Sequence, residues 1–190
     1  MALTRLNGIN AITGTIPQGN IANASLGAVT ALPTGLGGKV LQVVQAVKTD
    51  VFYNSGSTSF TDITGLSLAI TPSANSSKVL VLLNINIGSQ GSQTVRLLRD
   101  STAIYIGDSA SNRPLGFINV VDLNQYGLES TSGIFLDQPN TSSQINYKIQ
   151  MISSGGGGGE YFVNRSRSDR DTAQYDPRTA SSITLLEIGS

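Results

Sequence analysis

Apolar side chains follow two different spacings along this chain, and the change comes near Lys39. Up to Gly38 they fall singly at Leu3, Leu6, Ile9, Ile12, Ile16, Ile21, Leu26, Val29, Leu32 and Leu36, three to five positions apart among Gly, Asn and Ala. That spacing is too irregular for a helical face and too sparse for a core, and Gly8, Gly14, Pro17, Gly19, Gly27, Pro33, Gly35, Gly37 and Gly38 would break a helix in any case. From Lys39 onward apolar and polar residues alternate in short runs bounded by turn residues, which predicts strands.

Candidate strands cover 40–47, 66–70, 78–87, 94–99, 103–106, 115–123, 132–136, 145–152, 160–164 and 182–188. The clearest is 78–87, where Val79, Val81, Leu83, Ile85 and Ile87 share one face. Leu80, Leu82, Asn84 and Asn86 share the other, so its first half is expected to be buried on both sides. Nine or ten strands without an amphipathic helix predict an all-β fold, an antiparallel jelly-roll sandwich, although alternation alone does not separate a jelly roll from another Greek-key sandwich. The expected organisation is an extended N-terminal anchoring arm, 1–38, and a β-sandwich head, 39–190, with Leu36, Gly37 and Gly38 as the hinge.

The arm alone cannot bury enough apolar surface to offset its ordering entropy. It is therefore either a flexible tail or a segment ordered by other copies or a docking partner, and its Ile and Leu content favours the second.

Composition removes several function classes. Formal net charge is zero and 13% of residues are charged, which leaves no electrostatic footprint for nucleic acid or an anionic membrane. The absence of cysteine and histidine excludes disulfides, thiolate or imidazole metal sites, and Ser-His-Asp or Cys-His catalysis. No apolar run is long enough to insert in a membrane and the first residues lack a signal-peptide core, so synthesis as a soluble cytoplasmic product is expected. No catalytic, cofactor-binding or metal residue is assigned, and the chain is not expected to be an enzyme or to need a cofactor.

Two stretches remain as candidate surfaces. Asp169, Asp171 and Asp176 could ligate calcium through oxygen, but Arg165, Arg167, Arg170 and Arg178 nearly cancel them, which favours a self-neutralising exposed loop. The glycine run 155–159 lacks the Gly-Lys-Ser/Thr ending of a phosphate loop and reads as a hairpin tip. Beside it, Tyr161, Arg165, Arg167, Arg170 and Tyr175 are candidate partner or receptor contacts, because Arg and Tyr favour interfaces. A solvated variable loop without a specific partner is the equal alternative.

The order of segments carries a resemblance. Thr58-Ser59-Phe60-Thr61-Asp62-Ile63-Thr64-Gly65-Leu66-Ser67-Leu68-Ala69-Ile70-Thr71-Pro72, followed by Ser76-Ser77-Lys78-Val79-Leu80-Val81, resembles the opening of bacteriophage tail-fibre head domains. The spacing to Arg96-Leu97-Leu98-Arg99-Asp100-Ser101-Thr102 and the ending Ser181-Ser182-Ile183-Thr184-Leu185-Leu186-Glu187-Ile188 are similar to theirs. The resemblance implies a homotrimeric jelly-roll head like that of tumour necrosis factor. Ile12-Thr13-Gly14-Thr15-Ile16-Pro17 is similar to attachment or shaft segments of such proteins, which makes Leu3, Leu6, Ile9, Ile12, Ile16 and Ile21 the candidate anchor.

The function implied is a virion structural protein, a tail fibre or receptor-binding head, with capsid decoration as the alternative. A tailspike depolymerase carries little weight, since it calls for paired acids and a larger platform. Implied partners are copies of the chain itself, other virion proteins through the arm, and a host-surface receptor or glycan.

Overall fold

Alternation along the second part of the chain converts directly into strands. The structure, a computed structural model, describes residues 39–55, 57–121, 123–153, 159–172 and 174–189. The chain divides into residues 1–38 and 39–190. The expected arm, its anchor residues Leu3, Leu6, Ile9, Ile12, Ile16 and Ile21, the hinge at Leu36, Gly37 and Gly38, and residues 154–158 of the expected hairpin tip lie outside the described residues.

The strands are β1 (Val40–Lys48), β2 (Phe52–Asn54), β3 (Thr61–Ile70), β4 (Lys78–Ser89), β5 (Ser92–Arg99), β6 (Thr102–Ile104), β7 (Ile118–Val121), β8 (Glu129–Asp137), β9 (Ile145–Ser153), β10 (Tyr161–Val163) and β11 (Ser181–Ile188). Each expected run contains a strand, those expected at 103–106, 115–123 and 160–164 being shorter than expected, and no described residue is helical. β2 is the addition, too short to show a period. β3 begins earlier than alternation suggested, because its register against β9 shifts between Asp62 and Ser67 around Gly65, whose φ is 87°. That bulge lets Ile63 and Leu66, three positions apart, both point inward.

Two antiparallel sheets result. In the first, β4 pairs with β8 along one edge and with β11 and then β10 along the other. β1 and β2 lie beyond them, against β11 and β10 respectively. The six strands thus form four rows in the order β8, β4, β10/β11, β1/β2. The second sheet has the rows β3, β9, β5 and β6/β7. Counted along the chain, rows six, three, eight and one make the first sheet and rows two, seven, four and five the second, which is the jelly-roll order.

The core lies between the sheets. Val79, Val81, Leu83, Ile85 and Ile87 of β4 are buried there with Val95 and Leu97 of β5, Tyr147, Ile149 and Met151 of β9, and Ile183 and Leu185 of β11. The phenol of Tyr147, a polar group deep in this core, is satisfied. Its hydroxyl donates to Asp137 Oδ2 at 2.6 Å, and Arg99 Nη1 donates to both Asp137 oxygens at 2.9 Å. Burial, reinforced by this carboxylate, pushes the Tyr147 phenol well above its ordinary value.

The expectation of burial on both faces of early β4 needs correction. Leu80 and Leu82 point away from the core and are only half-buried, shielded by their strand neighbours. Among the described residues, a layer of chain over the outer face is found only toward the other end of β4. There the start of the segment 165–180 crosses it, and a Cβ at Gly88 would lie 2.4 Å from the Arg165 carbonyl oxygen.

Candidate functional site

The segment 165–180 is an excursion from a single strand row. β10 leaves that row after Val163 and β11 resumes it at Ser181, both antiparallel to β4. A buried knot closes the base. Asn164, held at a φ of 67°, donates from its backbone N to Asn86 O at 2.9 Å and from Nδ2 to the carbonyls of Lys48 and Asp50, both at 2.9 Å. Ser181 Oγ donates to Asn164 Oδ1 at 2.6 Å and accepts from Asn86 N at 3.0 Å. Asn86 Nδ2 donates to Ala180 O at 2.7 Å. Asparagine suits this position because it tolerates positive φ and carries both a donor and an acceptor.

Above the knot, the arginines pair with carboxylates. Asp169 is clamped by Arg165 at 2.7 Å and Arg178 at 2.6 Å. Asp176 accepts from Arg170 Nε at 2.9 Å and from the Ser166 hydroxyl. The Ser166 hydroxyl, with Arg170 adding to it against partial desolvation, holds the Asp176 carboxyl below the usual carboxylate range. Arg167 lies 3.7 Å from Glu160, which also accepts from the Tyr53 hydroxyl at 2.6 Å.

Two arginines also sit over aromatic rings. Arg165 lies 4.3 Å from the Phe162 ring centre, and Phe162 stacks on Tyr53 at 5.2 Å. Arg170 lies 4.3 Å from the ring of Tyr126 and 5.4 Å from that of Tyr175, the two rings being 5.4 Å apart. The backbone N of Ser168 donates to Gln125 O at 2.8 Å, which ties the excursion to the turn that carries Tyr126. A surface depression of about 370 Å³ opens among Asp169, Arg170, Asp171, Thr172, Asp176 and Arg178.

The expected contact residues separate. Tyr161 is 0% exposed; its hydroxyl donates to Met151 O at 3.2 Å, and it offers no surface to a partner. The expectation fails because Tyr161 falls on the inward face of β10 with Val163, while Phe162 points outward beneath Arg165. Arg165 is likewise committed, its side chain 14% exposed between Asp169 and the Phe162 ring. Arg167, Arg170 and Tyr175 are accessible. Arg170 and Tyr175 come together; Arg167 sits apart with Glu160.

Asp169 and Asp176, which a calcium site would need, face arginines instead, and no cluster of three or more ligating side chains occurs among the described residues. Sequence reasoning missed Asn164, Tyr53 and Tyr126. Asn164 and Tyr53 carry no local signal, but Tyr126 in the polar stretch Asn124-Gln125-Tyr126-Gly127 is an aromatic where a turn needs none.

No protein-family profile and no curated protein matches the chain. Among solved structures it is similar to VP2 of infectious bursal disease virus. A mutant VP2 in T=1 particles aligns at 11% identity with a TM-score of 0.39, covering 78% of this chain and 40% of that one. The Gx strain structure gives 14% and 0.31 over 79% and 43%. A VP2 subviral particle gives 13% and 0.33 over 78% and 41%. The chain spans about two fifths of each VP2 chain, and similarities this low do not speak for a shared role.

Proposed function

We propose that this chain is a bacteriophage virion structural protein, a homotrimeric tail-fibre or receptor-binding head held to the particle by residues 1–38. The observation that carries the reading is the platform on 165–180. A sandwich row is interrupted to display an excursion fixed at its base by Asn164 and Ser181, with accessible arginine and tyrosine side chains around a polar depression. Groups ordered before contact lose less entropy on binding. The jelly-roll topology and the resemblance to fibre heads support the same reading.

The contact set is revised by the geometry to Arg170, Tyr175 and Tyr126, with Arg167 at the margin and without Tyr161 or Arg165. Two tilted Tyr rings in contact, with an arginine and carboxylates beside them, suit a sugar face and its hydroxyls, so the receptor proposed is a host-surface glycan.

Replacing Arg167, Arg170 and Tyr175 together by Ser leaves the sandwich and the Asn164 knot intact. Adsorption of particles to host cells is expected to fall at least tenfold, roughly 1.4 kcal/mol. Unchanged adsorption together with capsids that burst more readily on heating would overturn the receptor reading in favour of capsid decoration.

A further inference from the structure

Where the excursion does not cross it, the outer face of the first sheet carries an apolar band. Its outward positions are Leu41, Val43, Gln45 and Val47 on β1, Ser182, Thr184, Leu186 and Ile188 on β11, Lys78, Leu80, Leu82 and Asn84 on β4, and Ser130, Ser132, Ile134 and Leu136 on β8. Strand register aligns Val43 with Leu186, Leu186 with Leu80, Leu80 with Leu136, and Leu82 with Ile134. The band therefore runs across all four rows. Its rims are open: Ile134 is 65% exposed, Val43 58% and Leu136 48%.

We propose that this face is buried against a second copy of the chain. The inference rests on the assembly part of the function proposed above and names the surface that part requires. Charge selects the occupant. Lys78 is the only charged side chain among the outward positions named, so two copies meet there without like-charge repulsion, whereas a partner recognised by charge would find nothing to pair with.

Area agrees. Four rows about 4.8 Å apart and about eight residues at ~3.3 Å each span roughly 19 by 26 Å, on the order of 500 Å² in projection. With side-chain relief this approaches the roughly 800 Å² that each partner gives a stable interface, and it lies in the range of about 300–600 Å² of the largest patches on monomers, which are often functional. The outermost strands point the same way. β1 and β8 each run nine residues with charged side chains only at their ends, Lys48 in one and Glu129 and Asp137 in the other, and without proline. Strands left at a solvent edge are normally blunted by such residues along their length.

The test uses the full chain. Light scattering at micromolar concentration should give a multiple of 19.8 kDa. Ile134→Asp should weaken association roughly a hundredfold and yield the single-chain mass with unchanged circular dichroism. The control Val121→Asp, at an exposed position on the second sheet, should keep the parent mass. Because the chain has no cysteine, Ile134→Cys adds one reporter thiol, which should react with a maleimide at least roughly tenfold more slowly than Val121→Cys and speed up on dilution.

An Ile134→Asp protein of parent mass would overturn the proposal, as would a single-chain mass for the parent together with free reaction of the Ile134→Cys thiol. A protected thiol in a 19.8 kDa species would also overturn it, assigning the face to residues 1–38. In each case an adsorption defect of the loop variant would still stand, so the two proposals fail separately.

Discussion

Asn164 does more for the proposed site than any side chain that could touch a ligand. It satisfies the carbonyls of Lys48 and Asp50 and the hydroxyl of Ser181 in a place without water-facing surface. Asn164→Ala removes the donor to both carbonyls and the acceptor for the Ser181 hydroxyl, and urea titration should show a loss of about 2–3 kcal/mol, with faster proteolysis within 165–180. Asn164→Gly keeps the positive φ but not the bonds, so a similar loss would assign the effect to hydrogen bonding, whereas retained stability would assign it to backbone conformation.

Glu187 is the matching anchor at the far end of β11. Burial works against its charge, but the backbone N and hydroxyl of Ser73, donating at 2.6 and 2.5 Å, hold its carboxyl below the ordinary value. A folded value below the unfolded one contributes stability that is present above roughly pH 4.5 and is lost as pH falls through the folded value. Glu187→Gln should therefore be less stable than the parent at neutral pH and show a shallower loss in acid. Parallel acid limbs would contradict this role. Little of such detail is legible in sequence: Tyr161, in a short candidate strand beside a glycine run, reads as a contact residue until the parity of β10 is fixed by its partners.

β4 joins everything above it to the core. Leu83→Ala removes a side chain packed between the sheets and should cost roughly 2–5 kcal/mol, while Leu82→Ala on the outer face of the same strand should cost under about 1 kcal/mol in a dissociated chain. Chemical denaturation of both variants checks the face assignment, and equal costs would contradict it. This strand was readable because five inward residues alternate without interruption. β3 was readable only in its second half, since the bulge at Gly65 breaks the alternation, and β2 was hidden by its length. Which rows pair across the sandwich depends on contacts far apart in sequence, so alternation predicted a sandwich and left its topology open until the pairing of β4 with β8 and β11 was seen.

The described residues present three surfaces with different chemistry: a second sheet, a pre-ordered polar platform at one end of the first sheet, and an outer face crossed by an apolar band on the rest of it. The last explains the unusual sequence of β4, whose Leu80 and Leu82 looked as if they belonged to a second core. In the chain itself they do not, and under the proposed association a neighbouring copy would supply the other layer. That feature was legible as excess hydrophobicity, but its meaning was not, because sequence does not show which side of a strand lacks a covering layer. The central claim, a virion component, is tested most directly by quantitative mass spectrometry of gradient-purified particles from infected cells. The account predicts that the chain co-purifies with them at a fixed copy number divisible by three. Recovery of the chain only in the particle-free fraction would contradict it.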